Sequence, residues 1–144
     1  MAINQTLTTS FKVELAQGLH NFTTGTGDVF KLALYTANAD LGASTTAYTT
    51  AGEVSSSGTN YSAGGVTLTN ITPSFQGTTA YWSFEDVTFT NVTLTTNGAL
   101  IYNSTNGNRS VCVLNFGLNI TKTAANLVIT FPVDDATNAV MRIA

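Results

Sequence analysis

The chain has 144 residues and a mass of 15.1 kDa, the size of one domain with room for a real core. Charged residues make up only 9% of it, against about 25% in a typical soluble domain, and five basic against eight acidic residues leave a net charge of −3. That excludes a phosphate-neutralising surface and hence nucleic acid as a partner; one Cys and one His exclude a disulfide framework, a multi-cysteine zinc site and a histidine cluster.

The first ten residues lack the basic start and apolar run of a secretory signal, and no window approaches eighteen apolar residues. The expectation is synthesis in a cytoplasm, with no membrane as partner. Eight Asn-X-Ser/Thr triplets, from Asn4 to Asn119, follow from a composition rich in Asn, Ser and Thr.

Residues 8–20, TTSFKVELAQGLH, predict one N-terminal helix. Thr9 or Ser10 caps it, Phe11, Leu15 and Leu19 recur at i, i+4 and i+8, and Gly18 is a left-handed stop. A helix this short must dock on a sheet or on a neighbouring subunit, through Phe11 and Leu15.

From Asp28 onward the period is 2. DVFKLALY puts Phe30, Leu32 and Leu34 on one face, with Val29, Lys31, Ala33 and Tyr35 on the other. Further strands are predicted at 66–71, 79–84, 87–95, 99–102, 110–116, 127–131 and 139–143. Turn chemistry separates them at Gly64-Gly65, Gln76-Gly77, Asn97-Gly98 and Asn106-Gly107, the last being the strongest hairpin signal. In YWSFEDVTF the inward residues switch from even to odd positions, so a bulge or a strand break belongs at Glu85-Asp86. The expected core joins Trp82, Phe84, Phe89, Leu114, Phe116, Ile129 and Phe131.

Residues 36–65 form a thirty-residue excursion whose large apolar anchors are Leu41, Tyr48, Val54 and Tyr61. Ordering it costs about 1 to 2 kcal/mol per residue, so a partner surface is expected to help hold it. The whole chain, 1–144, reads as a single all-β domain: an antiparallel, jelly-roll-like β-sandwich with one short N-terminal helix.

Few residues can carry chemistry. His20 sits beyond the helix stop, where the helix dipole favours a proton, and reads as structural. Cys112 in VCVLNF reads as a buried strand residue. Glu85-Asp86 and Asp134-Asp135 alternate across an extended chain and form no natural dyad; Asp134, Asp135 and Asn138 lack the spacing of a calcium loop and read as a solvated turn. The Thr-X-Thr triplets at Thr67, Thr88, Thr93 and Thr121 follow no solenoid period, and a sheet with one face in water explains them. Catalytic residues, metal ligands and cofactors are therefore expected to be none. Tyr48, Tyr61 and Tyr102, in or beside loops, are the candidates for binding a partner or a sugar.

The segments FKVELAQGLHNF, DVFKLALYTANADLG, YTTAGEV, TNYSAGGVTLTN, FEDVTFTNVTLTTNGALIYN and VCVLNFG, in this order over nearly the whole chain, resemble a family of small virion structural proteins of tailed bacteriophages. SSSGTN before Tyr61 is longer than the family's short glycine turn. The resemblance implies a place in the virion and no catalytic residues. Joined to the nearly uncharged surface, it gives the expectation of a capsid decoration, or cement, protein: a homotrimer bound to the major capsid protein, with the 36–65 excursion and N-terminal segment at subunit contacts. The alternative is a tail, fibre or adaptor component whose tyrosine-bearing loops touch a host carbohydrate; a glycan hydrolase ranks below both.

Overall fold

A computed structural model describes residues 2–144. Its elements are β1 (Thr6–Leu7), α1 (Thr9–Ala16), β2 (Phe30–Tyr35), β3 (Val66–Thr67), β4 (Ser74–Gln76), β5 (Thr79–Trp82), β6 (Val87–Asn103), β7 (Arg109–Ile129) and β8 (Met141–Ile143). Strands hold 45% of the residues and helix 6%. One sheet has the order β1-β7-β6-β2-β3 and the other β4-β5-β8, with every strand pairing antiparallel. The chain is an all-β sandwich-like fold carrying one short helix.

The helix begins where Thr8, in extended conformation, accepts a hydrogen bond from the Phe11 amide at 3.4 Å. It ends at Ala16, earlier than the predicted 20, because Gln17 caps it and Gly18 turns left-handed at φ 73°. Phe11 and Glu14 are buried and Leu15 is half-buried, so the i, i+3, i+4 face meets the protein's own core and not a neighbour.

The longest pairing joins β6 to β7, running from Asn103↔Arg109 to Val87↔Ile129. Asn106-Gly107 lies in its turn as predicted, the positive φ angles falling on Gly107 and Asn108. Strands expected at 87–95 and 99–102 are one, as are those at 110–116 and 127–131. Asn97-Gly98 is therefore not a turn: Gly98 pairs with Tyr35 on one side and Asn115 on the other. A Cβ there would stand 2.5 Å from the Leu114 carbonyl oxygen and 2.9 Å from Ile3 Cγ2, so this glycine serves close approach. The alternation slip at Glu85-Asp86 is a true strand break that passes the chain from the small sheet to the large one. Asp86 Oδ1 fixes the crossing by accepting from the Phe131 amide at 2.8 Å.

One apolar cluster takes residues from both sheets and the helix, including Phe11, Phe30, Leu32, Leu34, Trp82, Phe84, Phe89, Ile101, Ile129, Phe131 and Met141. Leu114 and Phe116, expected in this core, are only half-buried at its margin. A second cluster lies on the opposite face of the large sheet, where Ala33, Tyr35, Leu100, Tyr102 and Val113 meet Ile3, Ala39 and Leu41, with Tyr48 beside them. The expected solvated face is thus covered along β2 and the adjoining parts of β6 and β7.

The 36–65 excursion makes that cover, held by hydrogen bonds within the chain. Val54 donates to the Leu34 carbonyl at 2.9 Å, Tyr48 to Asn108 at 2.9 Å, and Ser110 to Thr46 at 3.0 Å. The accessible surface, 7164 Å², matches the roughly 7,000 Å² of a compact monomer of this mass.

Candidate functional site

The most polar buried assembly lies at the turn end of the β6–β7 hairpin. Helix α1 carries Glu14 inward to 7% exposure, and a buried carboxylate is tolerable only with partners. Glu14 has two: Oε1 lies 3.0 Å from His20 Nε2, and Oε2 accepts from Arg109 Nη1 at 2.8 Å. The imidazole is walled by Phe11, Phe22 and Phe30, with ring centroids 4.9, 6.4 and 6.2 Å away. Its other nitrogen, Nδ1, lies 3.0 Å from Nδ2 of fully buried Asn103.

Asn103 in turn organises the hairpin turn. Its Oδ1 accepts from the amides of Thr105 at 3.1 Å and Asn106 at 3.2 Å, while Nδ2 donates to Asp28 Oδ2 at 2.8 Å. Asp28 Oδ2 also accepts from the Asn21 amide at 2.9 Å. Above this network opens a cleft of about 620 Å³, lined among others by Ser10, Glu14, Thr46, Thr105, Asn106 and Arg109.

A carboxylate–imidazole pair is half of a hydrolytic triad, but the free end of this imidazole meets an amide group and no nucleophile. The arrangement therefore ties α1, the connection before β2 and the hairpin turn together. His20 was expected to interact with the helix dipole; its partner is the Glu14 side chain. Sequence reading missed Glu14, although its position three residues after Phe11 puts it on the same helix face.

The tyrosines form a second assembly, around Glu53. Tyr48 donates to Glu53 Oε2 at 2.6 Å, Tyr61 donates to Oε1 at 2.7 Å, and the Gly64 amide donates to the same oxygen at 2.7 Å. Tyr102 donates to the Gly64 carbonyl, and its ring stacks on Tyr48 at 4.8 Å. Tyr35 donates to the Thr49 carbonyl at 2.6 Å. Burial raises all four phenols above their ordinary range, with Tyr102 pushed up to about 12; the negative Glu53 adds to the effect in each.

These positions correct the candidate contact residues. Tyr61 and Tyr102 are 3% exposed, Phe11 is 1% exposed, and Tyr48 and Leu15 are half-buried. The tyrosines hold the excursion to its own sheet and Phe11 belongs to the first core, so Tyr61, Tyr102 and Phe11 present no free ring, while Tyr48 and Leu15 keep part of their surface in solvent.

The remaining candidates are scattered. Cys112 is buried, and desolvation pushes its thiol up to about 12, far from a reactive thiolate. Glu85 and Asp86 lie in the β5–β6 connection, not within a strand. Asp135 accepts from the amides of Thr137 at 2.8 Å and Asn138 at 2.7 Å, which form a turn and lower its pKa along with the Asn138 side chain. Desolvation, helped by neighbouring Asp135, raises that of Asp134. Among the described residues no group of His, Cys, Asp and Glu stands close enough to hold a metal ion, and no helix is long and apolar enough to cross a membrane. Comparisons with family models, with curated proteins and with solved structures give no match.

Proposed function

We propose that the chain is a virion structural protein that performs no catalysis, a capsid decoration protein that adds contact area across the subunits of a phage head shell as a homotrimer. The observation that carries this reading is the long β6–β7 pair beyond the reach of β2. In residues 87–97 and 117–129, Lys122 is the one charged side chain, and Thr88, Thr90, Thr93, Thr95, Thr121 and Thr123 are exposed. Bringing charges into a protein contact costs several kcal/mol per ion. Hydroxyls exchange water for new partners at little net loss, and the centres of interfaces are depleted of charge. A rigid ribbon of threonines therefore suits packing on a protein lattice. The segment-by-segment resemblance to phage virion proteins supports the same role. The carbohydrate-binding alternative has less support, since two of the three tyrosines it relied on, Tyr61 and Tyr102, are buried.

The test adds purified protein to head shells that lack it and counts the copies that co-sediment. Saturable binding at many copies per shell is expected, with Thr88→Glu and Thr90→Glu variants folding normally but failing to bind. No binding to shells, or a few copies confined to the tail, would overturn the head assignment. A solution mass other than three chains would overturn the trimer.

A further inference from the structure

The hydrogen-bond pattern around Asn103 fixes the orientation of its amide beside His20. Rotating the Asn103 amide by half a turn would set Oδ1 against Asp28 Oδ2, now 2.8 Å from Nδ2, and would point N–H groups at the amides of Thr105 and Asn106. Only the observed orientation satisfies all three neighbours. Nδ2 therefore points toward His20 Nδ1 at 3.0 Å, with the Leu19 carbonyl farther off at 3.5 Å, and a bare Nδ1 would accept from it while Nε2 faces Glu14 Oε1.

We propose that His20 and Asn103 form a proton-sensitive latch on the β6–β7 turn, closed while Nδ1 is bare and released when Nδ1 takes up a proton. The protonated ring carries N–H at both ends, and at Nδ1 it meets another N–H. The contact can be relieved by turning the Asn103 amide so that Oδ1 faces the ring. That movement withdraws the acceptor from Thr105 and Asn106 and the donor from Asp28, so three bonds holding the turn go together.

The charged groups around the ring oppose one another. Glu14, from α1, favours the protonated ring, and Arg109, from β7, tempers Glu14 by sharing its carboxylate. Asp28, from the connection before β2, acts in two ways: its negative charge favours the protonated ring, while its bond to Asn103 anchors the amide in the orientation that resists the second proton. Phe11, Phe22 and Phe30 supply uncharged walls. Because Thr105, Asn106 and Arg109 also line the 620 Å³ cleft, release of the latch reshapes that cleft.

The experiment follows the imidazole ¹⁵N resonances and the Thr105 and Asn106 amides of the full chain from neutral pH down to the onset of acid unfolding. The expected start is the Nε2–H tautomer. Proton uptake by the ring should then coincide in midpoint with movement of both amide signals. Hydrogen exchange at those two amides should be about tenfold faster than in His20→Gln at the same pH. An Nδ1–H tautomer at neutral pH, a ring that titrates while both amides stay still, or a ring that remains neutral until global unfolding would each overturn the latch. Equal pH sensitivity of the turn in His20→Gln would do the same. If that variant fails to fold, the coincidence of midpoints in the native chain decides alone.

Discussion

Tyr61 donates its phenolic proton to Glu53 Oε1 across 2.7 Å, and this contact ties two limbs of the 36–65 excursion to each other. The same hydroxyl accepts from the Leu34 amide of β2 at 3.0 Å, so one oxygen serves a carboxylate and a backbone group at once.

Tyr61→Phe keeps the ring and removes both bonds. Leaving a buried amide and a carboxylate oxygen short of a partner should cost about 1 to 3 kcal/mol. Tyr48→Phe removes one bond at a half-buried site and should cost less, about 0.5 to 1.5 kcal/mol. Urea unfolding ranks the two, and the reverse order would contradict the Glu53-centred account.

High pH should open the same assembly. Burial raises the phenols of Tyr35, Tyr48, Tyr61 and Tyr102 in the fold above the 10.0 of a free tyrosine. A raised folded pKa means the unfolded chain loses its proton first. Their contribution is complete below pH 10.0 and falls as pH climbs toward the folded value, which for Tyr102 is about 12. Tyrosinate absorbance and loss of the strand signal in circular dichroism should therefore rise together in that window. Phenols ionising singly in a chain that stays folded would refute this.

Core substitutions should separate the true interior from its margin. Phe84 is 2% exposed, and Phe84→Ala should cost about 3 to 5 kcal/mol. Phe116 is half-buried, and Phe116→Ala should cost about half as much or less. Denaturation midpoints measured on both variants check the ordering.

Two glycines predict opposite outcomes. Gly107 has φ 67° and open space where a Cβ would go, so Gly107→Ala pays only for the left-handed backbone, about 1 kcal/mol. Gly98→Ala drives a methyl into the Leu114 carbonyl and Ile3, with backbone on one side, and should cost more than about 2 kcal/mol. Equal costs would mean that Ile3 does not pack as described.

Those glycines also show what the sequence could and could not reveal. Both follow an asparagine, and local turn chemistry cannot tell Asn97-Gly98 from Asn106-Gly107. The second is a turn because nothing crosses it. The first is mid-strand because Ile3, ninety-five residues earlier in the chain, packs on it. Strand positions and the break at Glu85-Asp86 were legible because each is a local pattern, whereas the helix cap is Thr8 and not the expected Thr9 or Ser10. The second core was not, since Ala33 and Tyr35 look like an outer face until the excursion folds over them. The Glu14–His20–Asn103 network escaped for the same reason, as Asn103 lies 83 residues beyond His20 in the chain.

The pairing of Thr6 with Val113 sets an order of events during synthesis. The first strand of the chain has no partner until more than a hundred further residues have been made, whereas β6 and β7 can zip from a five-residue turn. A ribosome therefore delivers the turn end of that hairpin before the segment around Thr6 can settle against its edge and bring Ile3 over Gly98. Closure between segments this far apart in the chain belongs to the slow range of folding, milliseconds to seconds.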